Sequence, residues 1–150
     1  DQSSAASDVY KRQLLDFANL QIPAQMQGKS FKNAFSNESE AQREAVYYHY
    51  YEYPIWHKVQ PHYGVRTNRY KLIHFYYSMD EWELYDLQSD PNEMNNIYND
   101  ANPKLISDLK SKLELLKLQY KDTGSIAQMK LMTDTVIKRV YNEPAKDLKK

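Results

Sequence analysis

The stretch that decides the fold is Arg69–Tyr77, which has the sequence RYKLIHFYY. It is rich in aromatic and branched residues and is apolar on both faces, which is typical of a strand covered on both sides. The tight turn Thr67-Asn68 precedes it and the polar turn Ser78–Glu81 follows it. The pattern therefore predicts a central strand with neighbours on either side.

Three neighbouring segments complete the predicted sheet. Glu44–Tyr53 (EAVYYHYYEY) is dense in β-forming residues, Tyr63–Thr67 is a short strand, and Trp82–Leu87 follows the second turn. Ten of the 14 tyrosines fall within residues 47–85. Short connections between consecutive strands favour an antiparallel meander.

Two helices are predicted after the sheet. An apolar stripe with spacings of four, four, three and four residues predicts a helix over Asn102–Lys121, which Gly124 ends. Lys110 is expected on the opposite, exposed side of that helix. Ser125–Tyr141 is predicted as a further helix with a second stripe. The first stripe comprises Leu105, Leu109, Leu113, Leu116 and Tyr120, and the second comprises Met129, Met132, Val136 and Val140. The expected fold class is α+β: a small antiparallel sheet of three or four strands with a long amphipathic helix packed on it.

Composition excludes several classes of function. Twenty Lys and Arg balance 20 Asp and Glu, so the formal net charge is zero, which argues against a nucleic-acid partner. Cysteine is absent, which excludes disulfides, thiolate metal sites and a cysteine nucleophile. No apolar run has the length of a membrane span, and no GxSxG nucleophile elbow is present.

The first thirteen residues have an unusual character. Ser3–Gln13 (SSAASDVYKRQ) can be back-translated into an adapter used in transposon-based sequencing libraries. We therefore interpret residues 1–13 as an adapter artefact and expect them to be disordered, with the native chain starting at Leu14.

The proline-bracketed loop (residues 54–61) and the start of the next strand contain the candidate binding residues. Trp56, His57, Lys58 and His62 lie close together in the sequence PIWHKVQPHY. An aromatic ring stacks on the apolar face of a sugar, and Lys or His meets a sulfate or carboxylate, so this set suits an anionic sugar. The alternative is that Trp56 and Tyr63 seal an interface and that the histidines are solvated.

The remaining two histidines are interpreted as structural residues, and none of the four is predicted to bind a metal. His49 and His74 lie within strand patterns and are expected to be partly buried, hydrogen-bonded residues of the sheet. His57 and His62 are five residues apart, and no nearby carboxylate completes a zinc set, so no metal ligand is predicted.

Three stretches, in order, resemble the C-terminal part of the sulfatase family. They are Leu14–Phe31 (LLDFANLQIPAQMQGKSF), Tyr63–Phe75 (YGVRTNRYKLIHF) and Glu83–Asn95 (ELYDLQSDPNEMN). The similarity is greatest to bacterial enzymes that desulfate polysaccharides. The resemblance implies that residues 14–43 are the tail of a catalytic domain and a linker, that 44–123 are the C-terminal subdomain, and that 124–150 are a terminal helix and tail.

The resemblance also implies that the catalytic groups lie elsewhere. The family uses a formylglycine, made from the first residue of a [CS]-x-P-x-R motif, and a calcium ion, both in the catalytic domain. The nearest string here, Ser89–Glu93, has Glu93 where the motif needs Arg. No catalytic residue, metal ligand or cofactor is therefore assigned to this chain, and we expect it to be inactive alone. Asn19 replaces a residue that is usually Gly in the family.

The expected role is therefore that of a sulfatase fragment. The parent enzyme would hydrolyse sulfate esters of carbohydrates in the periplasm or outside the cell. Its C-terminal part would support the active-site wall and the substrate pocket, with the missing catalytic domain and a sulfated carbohydrate as partners. The alternatives are an independent carbohydrate-binding module built on the aromatic sheet and a purely structural packing module.

Overall fold

The computed structural model describes residues 2–24, 26, 30, 32, 44–54 and 57–142, and it divides into two units, residues 1–44 and 45–150. The first unit contains α1 (Gln2–Phe17). The second contains four strands, two helices and a closing π-helical turn (Lys138–Asn142). Its other elements are β1 (Ala45–Tyr50), β2 (His62–Thr67), β3 (Tyr70–Phe75), β4 (Glu81–Asp86), α2 (Pro103–Gln119) and α3 (Ile126–Ile137).

The strands form one antiparallel sheet in the order β1-β2-β3-β4. The predicted α+β class and the central position of the third strand are confirmed. In the described parts of the chain, no helix is both long and apolar enough to cross a membrane.

In the first unit, α1 ends in a Schellman motif. The Leu20 amide donates to the Leu15 carbonyl at 2.9 Å and the Asn19 amide to the Asp16 carbonyl at 3.1 Å. Asn19 has a φ of 54°. Because Asn and Gly tolerate this left-handed conformation better than other residues, the replacement of the family's Gly preserves the turn.

The helix α1 begins at Gln2, so it runs through most of the stretch that we expected to be disordered. The structure thus has regular backbone in residues 2–13, whereas their origin as an adapter stays a hypothesis.

The core lies between the sheet and α2. Val65 and Leu72 are opposite each other on β2 and β3, and both are fully buried. Leu109 and Leu113 of α2 join the same buried cluster, as the helical stripe predicts. Ile73, next to Leu72, is also buried, although neighbouring residues in a strand point to opposite faces. The strand β3 is therefore covered on both sides.

Gly64 on β2 permits a close approach of its neighbours. A Cβ atom at this position would lie 2.5 Å from the Leu72 carbonyl oxygen and 2.5 Å from the Tyr48 hydroxyl. The Leu72 atom belongs to the backbone and cannot move aside. The missing side chain is therefore what lets the Tyr48 ring lie across β2.

The outer edge of β4 is occupied by the chain that follows it. The side-chain carbonyl of Asn96 accepts from the Leu84 amide at 3.0 Å, and its side-chain NH₂ donates to the Trp82 carbonyl at 3.3 Å. The Ile97 amide completes the pattern by donating to the Leu84 carbonyl at 2.9 Å. Asn96 thus supplies the donor and acceptor that a further strand would supply.

The end of α2 differs from the prediction. Lys121, and not Gly124, turns the chain: Lys121 has a φ of 59°, whereas no glycine has a positive φ among the described residues. The Asp122 amide donates to the Lys117 carbonyl at 2.9 Å, which completes a Schellman motif. The prediction failed because it relied on glycine as the usual residue at this position.

In both helices, the environments of individual residues differ from the prediction. Met129 and Thr133 are the buried residues of α3, whereas Met132 is 69% exposed. Thr133 tolerates burial because its hydroxyl donates to the Met129 carbonyl at 3.1 Å. On α2, Lys110 is not on a free face, because its Nζ lies 4.1 Å from the centroid of the Trp82 ring.

We predict that Leu113→Ala lowers the free energy of unfolding by roughly 2–4 kcal/mol, because it opens a cavity in a site that has no exposed surface. Leu115→Ala on the same helix is the matched control, since Leu115 is 68% exposed. Urea denaturation of the two variants provides the measurement. An unchanged midpoint for Leu113→Ala would show that α2 does not dock on the sheet through this residue.

We predict that Lys121→Gly raises the free energy of unfolding by about 0.5–1 kcal/mol, because glycine removes the strain of a side chain at positive φ. Lys121→Ala retains a Cβ atom and is the control. A stabilisation of the same size in both variants would show that the gain does not come from the backbone conformation.

Candidate functional site

The proline-bracketed loop contains two of the four predicted binding residues in exposed positions. The side chains of His57 and Lys58 are exposed, and the described residues provide neither with a hydrogen bond or an ion pair. Trp56 lies outside the described residues. His62 is the first residue of β2 and is half-buried. The structure therefore places His57 and Lys58 on the loop and His62 at the point where the loop enters the sheet.

Aromatic rings surround His62. The Tyr50 ring stacks on the imidazole with centroids 5.4 Å apart, and the Tyr48 ring meets it edge-on at 6.0 Å. Phe75 on β3 is 5.0 Å away, and the Nδ1–H donates to the Gln60 carbonyl at 2.8 Å. These contacts fix the orientation of the imidazole. Its Nε2 has no hydrogen-bond partner among the described residues, so it is the nitrogen that can contact a ligand.

Two hydroxyl groups in this aromatic cluster are buried without a partner. The hydroxyls of Tyr48 and Tyr50 have no hydrogen-bond partner among the described residues. Burial, with a smaller contribution from Glu93 and Glu83, raises the pKa of Tyr48 above its usual value. A buried polar group without a partner is costly, and such groups often mark a place where another molecule or domain supplies one.

A second cluster lies on the other face of the sheet. The Asp122 carboxylate accepts hydrogen bonds from the Tyr47 hydroxyl and from His49 Nδ1, the latter at 2.7 Å. On the other side of the imidazole, the Tyr76 hydroxyl is 2.9 Å from His49 Nε2. Neutral His49 satisfies both contacts, because Nδ1 then donates to Asp122 and Nε2 accepts from Tyr76.

His74 repeats this arrangement. Its Nε2 is 2.7 Å from the Asp80 carboxylate and its Nδ1 is 2.8 Å from the Tyr63 hydroxyl. The Trp82 ring stacks on the imidazole with centroids 4.1 Å apart. The prediction that His49 and His74 are partly buried, hydrogen-bonded residues of the sheet is confirmed. Neither carboxylate partner was predicted; Asp122 is 73 residues away from His49 in the sequence, whereas Asp80 is only six residues from His74.

In both clusters, burial and the neighbouring hydrogen-bonding groups shift the pKa values of the members in opposite directions. Burial lowers the pKa of both His49 and His74, although the neighbouring carboxylates favour the charged form. Burial alone would raise the pKa of Asp122, but the hydrogen bonds from Tyr47 and His49 outweigh it and hold that pKa below its usual value. Each cluster therefore contains a neutral imidazole beside an ionised carboxylate at neutral pH.

A cavity of about 720 Å³ opens beside the cluster of His49 and Asp122. Its walls come from β1, the end of α2 and one side of α3, and they are mainly apolar. Met132 and Val136, two members of the stripe predicted on one side of α3, line this cavity.

The tyrosines of the sheet do not form a flat, open platform. Tyr63 and Tyr76 are buried beneath the helices, and Tyr47 packs against the same core. Tyr48 and Tyr50 on the opposite face are half-buried around His62. This arrangement weighs against an independent carbohydrate-binding module that stacks sugars along the sheet, because few ring faces are accessible.

The described residues contain no group of three or more His, Asp or Glu side chains able to hold a metal ion. The string Ser89–Glu93 belongs to the turns after β4. There, Glu93 has a φ of 54° and forms an ion pair with Lys71. The Asp90 carboxylate accepts from the Asn95 amide at 2.7 Å. These contacts assign the string a structural role in the loop.

The small antiparallel sheet with a helix packed on it agrees with the fold that the resemblance to the sulfatase C-terminal subdomain implied. Residues 5–119 match the family model described as "N-sulphoglucosamine sulphohydrolase, C-terminal", and the chain belongs to this family.

Two relatives define the similarity further. The chain is 50% identical over 112 residues to the N-acetylglucosamine-6-O-sulfatase of Bacteroides thetaiotaomicron, which covers 72% of this chain and 20% of that protein. A protein whose structure was solved with its substrate D-glucosamine-2-N,6-O-disulfate superposes with a TM-score of 0.72 at 46% identity. That superposition covers 79% of this chain and 25% of the other.

The fold also occurs in more distant proteins. The structure of a 2-O glycosaminoglycan sulfatase superposes with a TM-score of 0.62 at 24% identity, over 73% of this chain and 24% of that one. The chain therefore spans about a quarter or less of the length of the relatives named here. The chain corresponds to the C-terminal subdomain of the sulfatases that it matches.

We predict that the free energy of unfolding decreases as the pH falls below about 6.5. The unfolded chain takes up protons on His49 and His74 near pH 6.5, whereas the folded chain binds them only at lower pH. Each histidine contributes a slope of at most about 1.4 kcal/mol per pH unit between its two pKa values. Urea midpoints at a series of pH values test this, and His49→Gln should show a shallower slope. An equally steep slope in that variant would contradict the assignment to His49.

Proposed function

We propose that this chain is the C-terminal part of a carbohydrate sulfatase and that its proline-bracketed loop forms one side of the substrate pocket. In this role His57, Lys58, His62 and Trp56 contact the sulfated sugar, and the sheet holds the loop against the catalytic domain. The observation that carries the proposal is the oriented imidazole of His62, whose Nε2 has no hydrogen-bond partner among the described residues, at the end of the loop that carries the exposed side chains of His57 and Lys58.

The chemistry of these groups suits a sulfated saccharide. When protonated, an imidazole donates from both nitrogens, so His62 can hold the Gln60 carbonyl with Nδ1 and an anionic oxygen with Nε2. A sulfate group favours that protonated form because it brings negative charge close to the ring. Lys58 adds a second cation, and a charge-assisted hydrogen bond is stronger than a neutral one.

The hydroxyls of Tyr48 and Tyr50, which have no partner in the described part of the chain, support the same assignment. They belong to the aromatic cluster of His62, so polar groups supplied by the catalytic domain or by the sugar would satisfy them. The similar proteins agree with an amino-sugar substrate: the related B. thetaiotaomicron sequence is an N-acetylglucosamine-6-O-sulfatase, and the similar solved structure contains D-glucosamine-2-N,6-O-disulfate.

The bond-breaking step belongs to the catalytic domain in this proposal. A formylglycine and a calcium ion would be provided there, and they supply the nucleophile and the stabilisation of the sulfate charge. The described residues contain no group of three His, Asp or Glu side chains for a calcium ion, and the string Ser89–Glu93 has Glu93 where the formylglycine motif needs Arg. The role that we assign to this chain is therefore to bind and orient the saccharide.

We predict that His62→Ala lowers kcat/KM for a sulfated amino sugar about tenfold or more, because a hydrogen bond to a charged group is lost. The test uses a chimera in which this chain replaces the matching segment of the B. thetaiotaomicron N-acetylglucosamine-6-O-sulfatase, which is similar enough for the replacement to pack. Turnover of D-glucosamine-2-N,6-O-disulfate is compared with that of a small aryl sulfate, which does not reach the loop.

The control variant is Lys104→Ala, which removes an exposed charge of α2 that forms an ion pair with Asp108. It should leave both activities near those of the parent chimera. Equal losses of both activities in His62→Ala would indicate a folding defect, and no loss in either would leave the loop without a role in binding.

A further inference from the structure

We propose that α3 positions the proline-bracketed loop and that Asp134 on α3 is the residue that does so. This inference rests on the proposed function, since it explains how the binding residues on the loop are held in place. It extends that function by assigning a role to a helix that lies after the family-matched segment, which ends at residue 119.

Both ends of the loop contact Tyr77 and Ser78, which lie just beyond the end of β3 at Phe75. At the first end, the rings of Tyr53 and Tyr77 pack with centroids 5.6 Å apart. At the second end, the Ser78 hydroxyl donates to the Gln60 side-chain carbonyl at 2.8 Å. Residues 77–78 therefore act as a clamp: a shift of this dipeptide moves both ends of the loop.

The clamp is held by α3. The Tyr77 hydroxyl donates to the Asp134 carboxylate at 2.6 Å, a distance typical of a short, charge-assisted hydrogen bond. The Tyr141 hydroxyl adds a longer contact of 3.4 Å to the Pro54 carbonyl. Asp134 thus contacts the clamp, and Tyr141 contacts Pro54, the first residue of the loop.

The helix α3 is itself fixed to the core. Met129 is part of the buried cluster beneath the sheet, and Thr133 is buried on the same side. A capping box between Ser125 and Gln128 closes the first turn of the helix. Asp134 follows Thr133 directly, so the packing of α3 fixes its carboxylate at the clamp. The contacts then run from the core through Asp134 and Tyr77 to the loop.

The hydrogen bond also has a spectroscopic signature. The bond to Asp134, assisted by partial burial, raises the pKa of Tyr77 to about 12. In Asp134→Ala the pKa of Tyr77 should fall towards 10, which carbon-13 NMR of labelled tyrosine can follow. This readout reports the local contact and does not depend on any sugar.

Limited proteolysis with trypsin of the complete 150-residue chain measures the order of the loop, because Lys58 is an exposed cleavage site within it. Cleavage after Lys104 on α2 serves as the internal control for global unfolding. In Asp134→Ala and in Tyr77→Phe, cleavage after Lys58 should accelerate about tenfold, since a charge-assisted hydrogen bond is lost. Cleavage after Lys104 should change less than twofold.

Asp134→Asn is the rescue variant, because its side-chain carbonyl still accepts a hydrogen bond from Tyr77. It should restore most of the protection of Lys58. Asp108→Ala, which removes an exposed carboxylate of α2, should leave cleavage at Lys58 unchanged.

Three results would overturn the proposal: unchanged cleavage at Lys58 in Asp134→Ala, an equal acceleration at Lys58 and Lys104, or no rescue by Asp134→Asn. In the sulfatase chimera, Asp134→Ala should raise KM for D-glucosamine-2-N,6-O-disulfate and leave aryl sulfate turnover unchanged. If proteolysis supports the proposal while KM stays constant, the loop is positioned by α3 and the proposed role of the loop in sugar binding fails.

Discussion

The buried cluster that joins Leu113 of α2 to Val65 and Leu72 of the sheet determines the position of every later element. Once α2 is seated there, the chain turns at Lys121 through a left-handed residue, and Asp122 arrives beside His49 on the edge strand β1. A short connection then leads to Ser125, which caps the start of α3, and Asp134 of α3 contacts Tyr77 of the clamp. A weakening of the helix–sheet contact would therefore loosen the loop as well as the core, although the two are far apart in the sequence.

The four histidines illustrate how partners decide the role of a residue type. His49 and His74 each lie between a carboxylate and a tyrosine hydroxyl, which satisfies a neutral ring on both sides. In His62, Nδ1 donates to the Gln60 carbonyl and aromatic rings surround the imidazole. Its Nε2, which has no hydrogen-bond partner among the described residues, can therefore contact a ligand. His57 is exposed on the loop. Burial with two partners makes the first pair structural, whereas an oriented ring with one open nitrogen suits recognition.

Much of the fold was predictable because local patterns and tertiary packing agree. The apolar run around Leu72 and Ile73 identified the central strand, and the spacing of Leu109 and Leu113 identified the packed face of α2. The failures concern residues whose local hydrogen bonds override the usual preference of the residue type. Lys121 adopts a positive φ at the end of α2, where the Asp122 amide donates to the Lys117 carbonyl, and Thr133 is buried because its hydroxyl bonds to the backbone of its own helix. The candidate binding residues could be proposed from residue types on one loop, whereas the hydrogen bond between Asp134 and Tyr77 could not, since no sequence pattern links these two residues.

The amide of Asn96 has a consequence for the behaviour of the sheet in solution. An edge strand with free backbone groups is a template for pairing with another chain, which leads to aggregation or domain swapping. On β4, the amide of Leu84 and the carbonyls of Leu84 and Trp82 are already occupied by Asn96 and Ile97. Replacement of Asn96 by a residue without a side-chain amide would expose the Leu84 amide and the Trp82 carbonyl and so favour intermolecular strand addition at this edge. One polar side chain thus blocks the β4 edge without contributing to the core.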